Sequence, residues 1–86
     1  MALKKAKRLL NSQGKIIAEG TQNIKDLYRE FQLEMPNSES ITIAGYVMEI
    51  TKRIPLYGEI IEDNNFRYKI TSHSRKQILR LEITKI

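Results

Sequence analysis

The stretch Phe66-Arg67-Tyr68-Lys69-Ile70-Thr71 decides how the rest of the chain is read. Successive side chains of an extended strand point to opposite faces, so Phe66, Tyr68 and Ile70 share one face and Arg67, Lys69 and Thr71 the other. That alternation predicts a strand of an antiparallel sheet with one packed and one wet side. The same residues also interleave aromatic and basic side chains, as an RNA-binding strand does. A stacking platform needs its rings exposed beside its cations, and period-two geometry separates them here. The aromatics are therefore assigned to the core.

Working outward, Asp63-Asn64-Asn65 reads as a turn that joins this strand to a shorter one over Glu59–Glu62. On the other side His73-Ser74-Arg75-Lys76 turns the chain again. Leu79, Leu81 and Ile83 then alternate with Arg80, Glu82 and Thr84 to the end. Upstream the period changes. Ile24, Leu27, Tyr28 and Phe31 recur at helical spacing, with Thr21 as the expected N-cap and a break at Met35-Pro36. Ile43, Val47, Ile50 and Ile54 form a second helical stripe, which predicts a helix from about Thr42 to Lys52; β-branched Ile41-Thr42-Ile43 could equally open a strand. Nearer the start, Asn11-Ser12-Gln13-Gly14 is turn chemistry between two apolar runs, Lys7–Leu10 and Lys15–Glu19, and reads as a hairpin. A short helix through Ala2–Leu10 competes for the first of them. The sum is an α+β domain: a small antiparallel-rich sheet with two helices packed on one face.

A chain of 86 residues with 41% apolar and 29% charged side chains has the composition of one soluble globular domain. It has no cysteine, which excludes disulfides, thiolate metal sites and cysteine nucleophiles. No apolar run approaches the ~20 residues that cross a bilayer, and no secretory leader is visible. Net charge is +5, but Lys4, Lys5, Lys7 and Arg8 supply most of it; the remainder carries eleven cations against ten acids. The basicity therefore belongs to a leader or linker over residues 1–7, ahead of a single domain over 8–86. That leader could tether the chain to an anionic membrane surface, serve as a nucleic-acid arm, or be a solvated linker. A uniformly basic face is not indicated, and no nucleic acid is expected as a partner.

Catalytic constellations are missing. His73, the sole histidine, lies between Ser72 and Ser74, but neighbours on a strand face opposite ways and share no proton. One histidine and no cysteine leave no zinc set, and Asp63-Asn64-Asn65 lacks the spaced acids of a calcium loop. Gly14 and Gly20 do not make a phosphate loop, since Thr21 stands where the lysine would be. No catalytic residue and no metal ligand is assigned. The most structured motif is Arg53-Ile54-Pro55-Leu56-Tyr57-Gly58-Glu59, which ends a helix, fixes φ at Pro55 and turns at Gly58 into a strand. As plain structure it is a corner, with Ile54 and Tyr57 plugging the core and Arg53 paired with Glu59. As a functional element it presents Arg53, Tyr57 and Glu59 as a candidate interface, where Arg and Tyr are enriched.

In order and spacing these pieces resemble the CorC/HlyC transporter-associated domain. The resemblance runs from about Arg8 to the end. It rests on the opening hairpin with Asn11–Gly14 and Glu19-Gly20, Ile24–Phe31 with Leu33-Glu34-Met35-Pro36, Thr42-Ile43-Ala44-Gly45, and Arg53-Ile54-Pro55 followed by Gly58-Glu59. The family often has glycine where Lys52 stands, and Lys52 is expected to keep the helix end more regular; Glu19 replaces its usual Asp. The resemblance implies a non-catalytic regulatory and interaction module at the cytoplasmic face of a hemolysin-like or magnesium/cobalt efflux transporter. Its partners would be a CBS domain pair and the membrane domain of that parent. Apart from the resemblance, an antiparallel sheet with an open edge can pair with its copy, so a homodimer is expected as well. FAD or an adenine nucleotide is implied by fold resemblance only; no residue set here maps onto a flavin site. A small nucleic-acid-binding module, or an FAD- or nucleotide-binding domain, is the alternative.

Overall fold

The structure, a computed structural model, describes residues 14–86. The basic leader, the segment within 2–10 read as strand or helix, and the Asn11-Ser12-Gln13 part of the first turn lie outside the described residues. Within them the order is β1 (Ile16–Glu19), α1 (Ile24–Glu30), α2 (Ile43–Thr51), β2 (Ile60–Glu62), β3 (Phe66–His73) and β4 (Ile78–Lys85). The four strands form one antiparallel sheet in the order β1-β4-β3-β2. One face is packed: Ile16 and Ala18 of β1, Ile61 of β2, Phe66, Tyr68 and Ile70 of β3, and Ile78, Leu81 and Ile83 of β4 share a core with Ile24, Leu27 and Tyr28 of α1 and Ile43, Ala44, Tyr46 and Val47 of α2. The α+β architecture read from the periodicities is the one found.

The other sheet face is charged and wet. Across it Lys15 pairs with Glu82, Arg67 with Glu62, and Arg80 with Glu19. Phe66 and Tyr68 are 4% and 0% exposed, so no bare aromatic platform lies on this face. The rings instead pack edge-to-face on the helices, Tyr28 against Phe66 at 5.6 Å and Tyr46 against Tyr68 at 5.9 Å between centroids.

Several local readings are corrected. Asn23, not Thr21, caps α1: its Oδ1 accepts from Asp26 N at 3.0 Å, directly ahead of the first core residue, Ile24. The helix stops at Glu30, before Met35-Pro36, where Gln32 takes φ 58° and Leu33 N donates to Tyr28 O. Thr42 caps α2 through Gly45 N, so Ile41-Thr42-Ile43 opens no strand. The stripe of α2 is also narrower than expected: Ile50 is 38% exposed and Ile54 lies beyond the helix. Lys52 does not make the helix end regular. It takes the left-handed conformation at φ 62°, the geometry a glycine adopts without strain, and its N–H closes on Met48 O.

Leu79 was expected to face inward, and Ile78 does so instead. The β3–β4 register explains this. Ile70 opposes Leu81, Ser72 opposes Arg80, and His73 opposes Ile78, so Thr71 is an extra residue in β3 and Leu79 one in β4. On its other side Leu79 continues the β1–β4 register without a break, opposite Gly20, the residue after β1: Gly20 N donates to Leu79 O at 2.9 Å, and Gly20 O accepts from Ala44 N at 3.0 Å. One glycine thus ties β1, β4 and the start of α2 together.

Candidate functional site

The turn between α2 and β2 is built in layers. Pro55, fully buried, anchors it in the core. Leu56 O accepts from Glu59 N at 3.0 Å and Gly58 has φ 81°, the pattern of a type II turn with glycine in its third place. Gly58 N then donates to Ile70 O while Ile70 N donates to Glu59 O, which makes Gly58 the first residue of a G1 bulge. Above this backbone Arg53 and Glu59 meet in a two-pronged pair: Nη1 donates to Oε1 at 2.9 Å and Nη2 to Oε2. Glu59 Oε1 also accepts from Leu56 N at 3.0 Å.

The Arg53 hydrogen bonds, with the Leu56 N–H, bring the Glu59 carboxyl down to about 2. The clamp is therefore fully formed above the ordinary carboxylate value of 4.5 and is lost only as pH falls toward 2. Of the three residues singled out in the sequence, two come together as this clamp. Tyr57 does not join them or plug the core. It stands 75% exposed at the turn tip beside Leu56, 63% exposed. The result is a clamped turn that holds two large apolar side chains in water.

A second cluster was not anticipated. Asp63 closes β2, where the sequence shows only turn chemistry. Its Oδ1 accepts from the N–H groups of Asn65 and Phe66 at 2.8 and 2.7 Å. Neither Asn64 nor Asn65 has positive φ, so the hairpin lacks the favoured mirror-image turn and the carboxylate holds it instead. Oδ2 accepts from Tyr46 and Tyr68, both at 2.7 Å. With the Tyr68 proton committed to Asp63, Tyr28 donates to Tyr68 at 2.5 Å. One acid thus joins the β2–β3 turn to both helices. The only sequence signal was one tyrosine in each predicted helix, Tyr28 and Tyr46, and one in the strand, Tyr68, whose hydroxyls need partners when buried.

The groups of this cluster titrate far from neutral pH. Burial pulls Asp63 up, but the hydrogen bonds from Tyr46, Tyr68 and the turn N–H groups outweigh it, so the carboxyl sits below its usual value. Burial pushes Tyr28 up to about 12, and burial followed by the hydrogen bonds to neighbours raises Tyr68 and Tyr46 as well. Such groups stay fixed acceptors and donors at neutral pH. Because the folded values exceed the unfolded value of 10, their stabilisation is complete below pH 10 and disappears as pH rises toward 12. An alkaline titration is expected to show tyrosinate absorbance from the buried rings rising together with loss of circular dichroism. Ionisation of these three rings with the fold intact below pH 10 would contradict the network.

Among the described residues no group of three or more His, Cys, Asp or Glu side chains could hold a metal ion. His73 Nδ1 lies 3.1 Å from Ser74 O. At Gly20 there is no room for a dinucleotide phosphate. Gly20, which stands between a strand and a helix, has its open side filled by the Ile78 carbonyl, 2.0 Å from where a Cβ would be. No described helix is long and apolar enough to cross a membrane.

Residues 11–86 match the family model of the transporter associated domain, CorC_HlyC. Among curated proteins the chain is similar to the magnesium and cobalt efflux protein CorC of Pasteurella multocida, 32% identical over 62 residues, covering 72% of this chain and 21% of that one. It is also similar to the protein of that name from Buchnera aphidicola, 29% identical over 73 residues, covering 85% and 26%. The chain thus spans about a quarter of the length of the curated relatives it matches. Among solved structures it resembles a conserved protein of unknown function from Haemophilus influenzae, with TM-score 0.80 and 26% identity over 88% of this chain and 94% of that one. The fold also matches the transporter associated domain of a CBS domain protein from Porphyromonas gingivalis, with TM-score 0.77 and 21% identity over 87% and 92%.

Proposed function

Because the chain belongs to the transporter associated domain family, CorC_HlyC, we propose that it is a non-catalytic regulatory module of a larger ion transporter. In this reading residues 8–86 form the module and residues 1–7 a basic linker. It sits on the cytoplasmic side, beside a CBS domain pair and the membrane domain of its parent, and adjusts divalent-cation transport through contacts. No cofactor takes part. The observation that carries the reading is the clamped turn, which holds Leu56 and Tyr57 bare. Keeping two large apolar side chains in water is unfavourable unless a partner covers them, and a pre-formed turn binds with less ordering entropy to lose. Arg53 and Glu59 act here as positioning residues and Tyr57 as the contact.

In the parent transporter, deletion of residues 8–86 is expected to change ion flux. The double substitution Leu56→Ala/Tyr57→Ala is expected to change it in the same direction. Both side chains are exposed, so folding stability should move by less than ~0.5 kcal/mol. A weakened contact of ~2 kcal/mol or more, a roughly 30-fold affinity change, is the scale of one interface anchor. Flux that is unchanged by both the deletion and the double substitution would refute the proposal.

A further inference from the structure

The hydrogen-bond phase of the β2–β3 hairpin leaves one edge of the sheet open in a defined way. Asp63 N donates to Phe66 O and Ile70 N to Glu59 O, and Ile61 opposes Tyr68 two places from each of these pairs. Antiparallel ladders alternate, so Glu59, Ile61 and Asp63 turn their backbone groups toward β3. Ile60 and Glu62 therefore point their N–H and C=O groups away from the sheet. Among the described residues nothing pairs with that edge. The side chain of Ile60 is 53% exposed on the charged face. Its β3 partner Lys69 makes no ion pair among the described residues; across the next strand Lys69 faces Glu82, which pairs with Lys15.

We propose that this edge pairs with the same edge of a second copy of the chain, joining two sheets about a two-fold axis at Ile61. One register satisfies the chemistry. Ile60 lies opposite Glu62 of the second copy, and Glu62 opposite its Ile60, so all four outward groups on each edge are used. Centring the axis on Glu62 would set like charges side by side. Centring it on Ile60 would place Glu62 against Gly58, whose N–H already goes to Ile70. In the remaining register Glu62 of the second copy sits beyond Ile60, two strand spacings of ~4.8 Å from Lys69. A lysine and a glutamate side chain together span that gap, so Glu62 of the second copy, besides its own pair with Arg67, comes within reach of Lys69. Each edge strand is only three residues long, so the interface is small and the dimer weak, with dissociation on the order of 10–100 µM. This self-pairing does not depend on the role in ion flux.

Sedimentation of the full chain is the test. The weight-average mass is expected to rise from 10.1 kDa toward twice that value as concentration increases from about 5 to 500 µM, spanning the affinity of a small interface. Ile60→Pro removes an outward N–H without touching the bonds to β3. Ile60→Glu sets like charges against Glu62 of the second copy while gaining Lys69 within its own sheet. Both variants are expected to keep the parent's circular dichroism and to stay at the mass of one chain; Ile60→Glu decides alone if the proline variant fails to fold. A wild-type chain that remains single at the highest concentration overturns the proposal. So does a dimer that persists in folded Ile60→Glu. A chain that stays single yet binds a labelled acidic strand peptide through Ile60 would also overturn it and give the edge to a different partner.

Discussion

Gly20→Ala is expected to prevent folding at 37 °C. A Cβ at this position would lie 2.0 Å from the Ile78 carbonyl oxygen and 3.0 Å from both the Ile78 carbonyl carbon and the Ala44 Cβ. The obstacle is backbone, so no rotamer change relieves it. Gly20 is itself held by its bonds to Leu79 and Ala44, and moving it away breaks both at a buried junction. Overpacking alone costs ~1–3 kcal/mol, and each lost buried hydrogen bond adds ~1–3 kcal/mol. Total stability for a chain this size is only ~4–13 kcal/mol. Urea denaturation followed by circular dichroism is the measurement. Gly14→Ala is the comparison, because nothing lies within 4 Å of its Cβ position and only the φ of 75° opposes it. If the two variants lose similar amounts, the close approach at Gly20 is not what matters.

Asp63→Ala is expected to lower stability by about 3 kcal/mol, the scale for removing a charged acceptor from several donors at once. Four donors lose their partner: two turn N–H groups and the hydroxyls of Tyr46 and Tyr68. The turn groups can recover water. Tyr68, with no exposure, cannot, and its bond to Tyr28 loses its anchor. Asp63→Asn keeps an acceptor for the turn and sets an amide against the hydroxyls, one of which can reverse, so about half the loss is expected. Thermal melts of the two variants should rank Ala below Asn below the parent. A parent-like melt for Asp63→Ala would show that the carboxylate is incidental to the fold.

These two residues mark where reading the sequence stops. Strand β3 was legible because its alternation is local: each of Phe66, Tyr68 and Ile70 faces the core as period two requires. The start of α2 near Thr42 was legible from its helical period, though not that Thr42 caps it, and so was the pairing of Arg53 with Glu59, six residues apart with a turn between them. Asn23 and Thr21 offer the same capping chemistry. What separates them is tertiary: Asn23 bridges Thr42, and Ile24 N donates to Ile41 O, so the two helix starts support each other. The inward turn of Ile78 depends on a bulge in the pairing of β3 with β4, which the alternation within β4 does not announce. Tyr57 was read both as a core plug and as a contact, and composition cannot separate those. The register of Gly58 and Glu59 against Ile70 does, by placing the residue before Gly58 at the turn tip.

The added residues at Thr71 and Leu79 cancel. Below them the partners sum to one register, and by His73 and Ile78 the same register has returned. Losing either residue alone would invert inside and outside for the hairpin tip; losing both would leave every pairing intact. In related chains, gaps at these two positions should therefore be inherited jointly, so that their lengths covary across evolution although neither side chain belongs to the core.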